Sequence, residues 1–264
     1  MPKILTLFRT LKLKGFTETL AIIGNKLFSY RPKPIKSIQL YVPFFQSKNG
    51  IEIGGPSKIF SVEIPIYQVI NELDGCNFSN NTVWEGTIVK GQNYNYFSDK
   101  IGTQYICEAS NLKEIPSEKY DFLVASHCLE HCANALQTVQ EWCRVIKKDG
   151  AILLILPDKR FTFDHNRPIT KFNHLIDDYK NNIDESDLTH LEEILKLHDL
   201  SMDLPAGTVS EFEKRSIDNI SNRCLHQHVF DFNLLENVFK HNNIEILDKS
   251  FAKPYHQIIL GIKK

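Results

Sequence analysis

The sequence predicts an α/β fold, a mostly parallel sheet with helices on both faces. Three observations carry that expectation. Ile51 to Ile53 is a short strand-like run that ends on the turn Gly54-Gly55-Pro56. Phe122 to Ala125 is a continuous apolar run, as expected of a strand covered on both faces. Residues 133–147 read as a helix closed by Asp149-Gly150, after which Ala151 to Leu156 makes another apolar run, ended by Pro157. Strands alternating with helices need crossover connections, and these set the strands parallel with helices on both sides.

The elements follow in order. Segments 4–13 and 16–28 have helical periodicity, with Phe16, Leu20, Ile23 and Leu27 on one stripe. Arg31-Pro32-Lys33-Pro34 breaks that pattern and reads as a linker. A first strand fits Ile51 to Ile53, and a second fits Gln68 to Leu73, ending at Asp74-Gly75. Residues 77–100 are rich in Asn, Gly, Tyr and Ser and read as loop with one strand at most. Gln104 to Cys107 is a third strand, Phe122 to Ala125 a fourth and Ala151 to Leu156 a fifth. Residues 158–225 then interrupt the alternation, with helical stretches near 169–181 and 187–199. A helix over 232–242 and two strands, Ile244 to Lys249 and His256 to Ile262, close the chain. The expected organisation is a basic amphipathic helical extension over 1–36 and one domain over 37–264, carrying a helical insertion at about 158–225.

Bulk properties exclude several classes. A chain of 264 residues can bury a sizeable core, and its 42% apolar and 24% charged residues are ordinary for a globular protein. The net charge of −1 gives no global field that would favour nucleic acid. Charge is unevenly placed: Lys3, Arg9, Lys12, Lys14, Lys26, Arg31, Lys33 and Lys36 face only Glu18 within residues 1–36. Such a segment can contact an anionic membrane peripherally, although packing against the domain is the plainer expectation. No apolar run reaches the roughly 18–20 residues of a bilayer span. The first residues lack the long apolar stretch and cleavage site of a secretory signal. Cysteines 76, 107, 128, 132, 143 and 224 form no CxxC pair, so they read as reduced packing thiols in a cytoplasmic protein.

The phrases that carry chemistry are Ile51-Glu52-Ile53-Gly54-Gly55-Pro56-Ser57, then Ser126-His127-Cys128-Leu129-Glu130-His131 after the fourth strand, then Arg144-Val145-Ile146-Lys147-Lys148-Asp149-Gly150. In this order they resemble the class I S-adenosylmethionine-dependent methyltransferases over residues 50–157, with weaker agreement at 230–264. The resemblance implies a Rossmann-like fold, a seven-stranded sheet with one antiparallel terminal strand, and S-adenosyl-L-methionine as cofactor. It implies that Glu52 orients the methionine end of the cofactor and that Gly54 and Gly55 let the backbone approach it. Asp74 would hold the ribose diol, with Glu72 as the fallback. Glu108 would meet the adenine amino group, Ala109 would stack on the ring, and Ser126 and His127 would line the reactive end. The adjacent pair Gly54-Gly55 departs from the usual alternate spacing. That departure leaves room for a binding module without catalysis, and an NAD-dependent oxidoreductase is a more distant alternative because GxGxxG is absent.

In such a fold the insertion becomes a lid over the acceptor. Eight of ten histidines lie at or after position 165, which suggests a polar acceptor, a small molecule or glycan. A hydroxyl acceptor needs a base near neutral pH, and an anionic one wants arginine. Asp164-His165-Asn166-Arg167 offers both: His165 as base, Asp164 as its orienter, and Arg167 or Arg160 as an anion clamp. The phrases Phe163 to Pro168 and Asp187-Leu188-Thr189-His190 also resemble bacterial methyltransferases of surface polysaccharide synthesis, which implies O-methylation of a glycan-linked group. His226 and His228 alternate on an extended segment, which puts them on one face, where His190 or His198 could join them around a metal. Histidines so spaced are more often structural, and no metal is expected.

Overall fold

The computed structural model describes residues 32–264. The two amphipathic helices expected at 4–13 and 16–28 lie outside these residues. Pro34–Lys264 forms one compact unit. Its strands are β1 (Asn49–Ile53), β2 (Glu72–Asn77), the two-residue pair β3 (Asn81–Thr82) and β4 (Gly86–Thr87), β5 (Gly91–Phe97), β6 (Lys100–Ile106), β7 (Tyr120–Ser126), β8 (Ile146–Pro157), β9 (Ile244–Ala252) and β10 (His256–Lys263).

Eight of these strands make one sheet in the order β5-β6-β2-β1-β7-β8-β10-β9. The pairs β2–β6, β1–β2, β1–β7 and β7–β8 are parallel. β10 runs antiparallel between β8 and β9, as the two closing strands led one to expect. The eighth strand is β5, a hairpin partner of β6 drawn from the region expected to be mostly loop. Strand order reverses between β1 and β7, where a crevice opens above the strand ends.

Apolar clusters cover both faces. One packs Leu136, Val139 and Trp142 of the helix Ala135–Val145 and Leu235, Val238 and Phe239 of the helix Phe232–His241 against β1, β7 and β8. The other packs Tyr41, Phe45, Phe60 and Tyr67 against Phe122, Val124, Leu153 and Ile155. Both helices of the first face start where an Asx cap is available: Asn134 accepts from Gln137 N at 3.1 Å and Asp231 from Leu234 N at 2.8 Å. A separate small core of Ile194, Ala206, Phe212 and Leu225 forms within the chain between β8 and the helix Phe232–His241.

Two boundaries differ from expectation. The second strand occupies Glu72–Asn77, and Ile66–Gln68 is a single 3-10 turn. Pairing with β1 on one side and β6 on the other outweighs the poor strand propensity of Asp74, Gly75 and Asn77. Gly75 is there because Tyr94 crosses it: a Cβ would lie 2.3 Å from the tyrosine ring. Likewise Asp149-Gly150 does not close a helix. The helix ends at Val145, β8 begins at Ile146, and its pairing with β7 is irregular between Tyr120 and Phe122.

Candidate active site

Four parallel strands end under one cavity of about 520 Å³, a volume typical of a small-molecule site. Its floor comprises Ile53 and Gly54 after β1, Asn77 and Phe78 after β2, Glu108 and Ala109 after β6, and Ser126, His127 and Cys128 after β7. Trp84 and Glu85 close one side. Phe163, Glu185, Asp203, Arg215, Arg223 and His226 roof it from the segment between β8 and the final helix.

The glycine turn is shaped from beneath. Glu52 is fully buried; its carboxylate accepts from Ser57 N at 2.9 Å, from Tyr94 Oη at 2.8 Å and from Tyr67 Oη. Burial pushes its pKa up, against these hydrogen bonds. Glu52 does not line the cavity, so it shapes the turn from behind. Gly55 is absent from the lining too: a Cβ there would sit 2.1 Å from the Glu52 carboxyl carbon. Gly54 does line it, with φ +79°. His127 also adopts a left-handed φ of +52°, uncommon outside glycine although histidine is one of the residues that tolerate it. Its Nε2 lies 2.9 Å from Nδ1 of His256 and its Nδ1 3.4 Å from Glu130.

Asp74 does not reach the cavity. It lies inside β2, where its carboxylate accepts from Thr103 N at 2.8 Å, Lys119 Nζ at 2.9 Å and Tyr120 Oη at 2.6 Å. Because the strand runs to Asn77, the residue at the strand end is Asn77, not Asp74. Asn77 donates to Gly55 O at 3.1 Å and accepts from Trp84 Nε1 at 3.0 Å. Glu72, the fallback, opens the same strand and is exposed. Glu108 and Ala109 are on the floor as expected, with Glu108 paired to Arg223 at 3.0 Å.

The catalytic trio is rearranged. Arg167 is 1% exposed and held by Glu193 at 2.9 Å, Asp164 at 3.0 Å and the His226 carbonyl at 2.8 Å. A guanidinium so enclosed cannot clamp an acceptor. Arg160 lies on the surface against Asp158. His165 is outside the cavity, its Nδ1 donating to the Thr162 carbonyl at 3.1 Å. Asp164 does orient a histidine, but that histidine is His226, whose Nδ1 donates to Asp164 Oδ2 at 2.5 Å. The pairing missed in sequence spans 62 residues. The bare alternation of His226 and His228 was its only visible signal. The two do not share a face: His226 goes to Asp164 and His228 to Asp178. His198 turns to Asp203.

The electrostatics follow from burial and neighbours. Burial opposes charge on His226, but Asp164 and Glu130 outweigh it and raise its pKa above the ordinary histidine value. Burial alone would raise Asp164, yet His226 and Arg167 hold it far below the usual carboxylate range. His131, whose Nδ1 donates to the Leu225 carbonyl at 2.9 Å, is pushed down to about 4 by burial and by His226. Glu185, which sequence reading also missed, is pushed up to about 7 by burial and by Glu108. Arg215 and Arg223 each keep a buried Nε–H without a hydrogen-bond partner. The lining thus combines spare cationic donors for an anionic group with the carboxylates Glu85 and Glu185 for a cationic or hydroxyl-bearing one. A zwitterionic nucleoside fits that donor set.

Residues 74–154, from β2 through most of β8, match the family described as "Methyltransferase domain". No curated protein matches the chain in sequence. Among solved structures, the fold is similar to a S-adenosylmethionine-dependent methyltransferase from Mesorhizobium loti, with TM-score 0.51, 10% identity, and 86% of this chain and 96% of that one covered. Others are a SAM-dependent methyltransferase from Aquifex aeolicus, with TM-score 0.48, 8% identity and coverage of 87% and 89%, and a putative one from Listeria monocytogenes, with TM-score 0.49, 12% identity and coverage of 86% and 96%.

Proposed function

We propose that this chain, a S-adenosylmethionine-dependent methyltransferase with S-adenosyl-L-methionine as its cofactor, O-methylates a polar small molecule or glycan-linked group in surface polysaccharide synthesis, in the cytoplasm. Among the described residues no helix is long and apolar enough to cross a membrane. The segment at about 158–225 serves as the lid of the methyltransferase domain, and the N-terminal extension is its possible point of peripheral membrane contact.

The bound cofactor supplies an electrophilic methyl group on a sulfonium. Gly54 would give the backbone close access to its amino-acid end, Asn77 and Glu85 would take the place expected of Asp74 beside the ribose, and Glu108 and Ala109 would flank the adenine. Ser126 and His127 would face the reactive end. His226 would receive the acceptor's hydroxyl proton on Nε2 as that oxygen becomes the nucleophile for the methyl group. Asp164 fixes the Nδ1–H tautomer and stabilises the imidazolium that results, the division of labour of a His–Asp pair. Arg167 holds Asp164 in place.

The observation that carries the hydroxyl reading is the Asp164–His226 pair on the cavity wall. Incubating the protein with methyl-labelled cofactor and, separately, nucleotide sugars, lipid-linked glycans and small amines tests it. Label should enter a sugar hydroxyl. Label confined to amines or proteins ends the glycan assignment, and an inability to bind S-adenosylhomocysteine would favour a binding module.

A further inference from the structure

Away from the cavity, donor atoms of three histidines converge from three separate segments, with Asp178 beside two of them. His174 and Asp178 are one turn apart on the helix Phe172–Lys180, His190 immediately precedes the helix Leu191–Leu197, and His228 lies on the extended stretch before the helix Phe232–His241. Nε2 of His174 is 2.9 Å from Nε2 of His190 and 3.4 Å from Oδ2 of Asp178. Nε2 of His228 is 3.1 Å from the same Asp178 oxygen. Donor atoms of the three histidines all lie within 4.8 Å of one another. None of the four residues lines the cavity, and the reaction has no use for them.

These spacings are those of ligands around one small cation. Ligands about 2.0–2.1 Å from a tetrahedral ion stand about 3.3 Å from each other. The His174–His190 edge of 2.9 Å is close to that value, and the three histidine donors all lie within 4.8 Å of one another. A network of protons serves the cluster less well. His174 Nε2 faces a second imidazole nitrogen and a carboxylate at once, and its single proton cannot fully serve both. Nδ1 of His228 is buried without a partner, so that ring's polar interaction passes through Nε2.

We propose that His174, His190 and His228 bind one zinc ion, which fastens the insertion to the segment that carries His226, with Asp178 beside two of the three rings. Three imidazole nitrogens suit zinc, and water completes the tetrahedron. The ion ties down His228 two residues from the proposed base and so positions His226 without touching substrate. The proposal stands whichever acceptor is methylated.

The full chain, purified without a histidine tag, should carry about one zinc per molecule. After chelation and dialysis it should take up one equivalent of Co²⁺ with the strong visible absorption of a tetrahedral site. His190→Gln should weaken Co²⁺ binding by about 100-fold, whereas His226→Gln should keep it. The last variant separates this cluster from the only other such group among the described residues, Glu130, His131 and His226. If the variants fail to fold, the wild-type titration still decides. A folded wild-type chain that binds no stoichiometric metal, shows only a weak octahedral spectrum, or loses its metal in His226→Gln overturns the proposal.

Discussion

The floor of the cavity is made by strand ends, whereas its roof is made by side chains that meet only through the insertion. On the floor, Gly54, Glu108, Ala109, Ser126 and His127 come together because β1, β6 and β7 are parallel neighbours or near neighbours whose ends lie level. Locating each strand therefore locates its site residue to within the error of the strand boundary. In the roof, Asp164 and His226 are 62 positions apart, and Arg223 reaches the floor residue Glu108 from 115 positions away. Nothing periodic in the sequence announces those pairs. In the proposed reading the floor holds the cofactor and the roof meets the acceptor.

The largest effects should come from the roof. His226→Ala should lower kcat by about 10²–10⁴-fold, the usual contribution of a general base, with S-adenosylhomocysteine affinity changed far less. Asp164 raises the pKa of His226, and the base works only when neutral, so kcat should rise with pH through a midpoint above the ordinary histidine value. Asp164→Asn should move that midpoint downward as well as reduce kcat. A profile that does not move would remove His226 from the mechanism. The pair also bears on stability, with opposite signs at its two ends. The raised histidine contributes stability at low pH that is lost as pH rises through its folded pKa. The depressed carboxylate contributes stability above the ordinary carboxylate range that is lost on strong acidification.

Next in size is a contrast between the two adjacent glycines of the turn after β1. Gly55→Ala drives a methyl group into the buried Glu52 carboxylate and the hydroxyl of its partner Tyr94. Overpacking of that kind costs about 1–3 kcal/mol, and the displaced Glu52 releases Ser57 N, so S-adenosylhomocysteine binding should fall by at least tenfold. Gly54→Ala meets only Cys128, at 3.5 Å, and bears mainly the strain of its positive φ, about 1–2 kcal/mol. Calorimetric titration of both variants checks the order. A Gly55→Ala protein that binds as well as the parent would mean that the turn is not supported from below.

How much of this was legible depends on which forces set each element. Strands β1, β7, β8, β9 and β10 and the helices Ala135–Val145 and Phe232–His241 were visible because apolar periodicity and cap residues are local signals. β2 was misplaced by four residues because Asp74-Gly75 has the composition of a turn, and only the neighbouring strands make it extended. That shift moved the expected ribose ligand from the true strand end to a buried interior position. The helices of the insertion were also visible in outline. Their destinations were not, since Arg167 and His165 look equally suited to chemistry until burial and partners are known. Asp164 was expected to bond its sequence neighbour His165, whereas in space it bonds His226.

The smallest effects test that last distinction. His165→Ala should leave kcat and KM within about twofold, because the ring lies outside the cavity and gives up its contacts to the Thr162 carbonyl and Asp199. Asp74→Asn should spare binding in the same way but cost stability. It weakens a carboxylate that Lys119, Tyr120 and Thr103 all address, a loss of about 1–3 kcal/mol. Burial works against ionised Asp74, but Lys119 and Tyr120 prevail and hold its pKa below the ordinary value. Its contribution is thus present near neutral pH and disappears as pH falls through that depressed pKa. Denaturant unfolding at neutral and acidic pH should show parent and Asp74→Asn curves converging in acid, with equal S-adenosylhomocysteine affinity at pH 7. If Asp74→Asn instead keeps its stability and loses the cofactor, the strand-end assignment of Asn77 is wrong, and the floor was more faithfully written in the sequence than the structure allows.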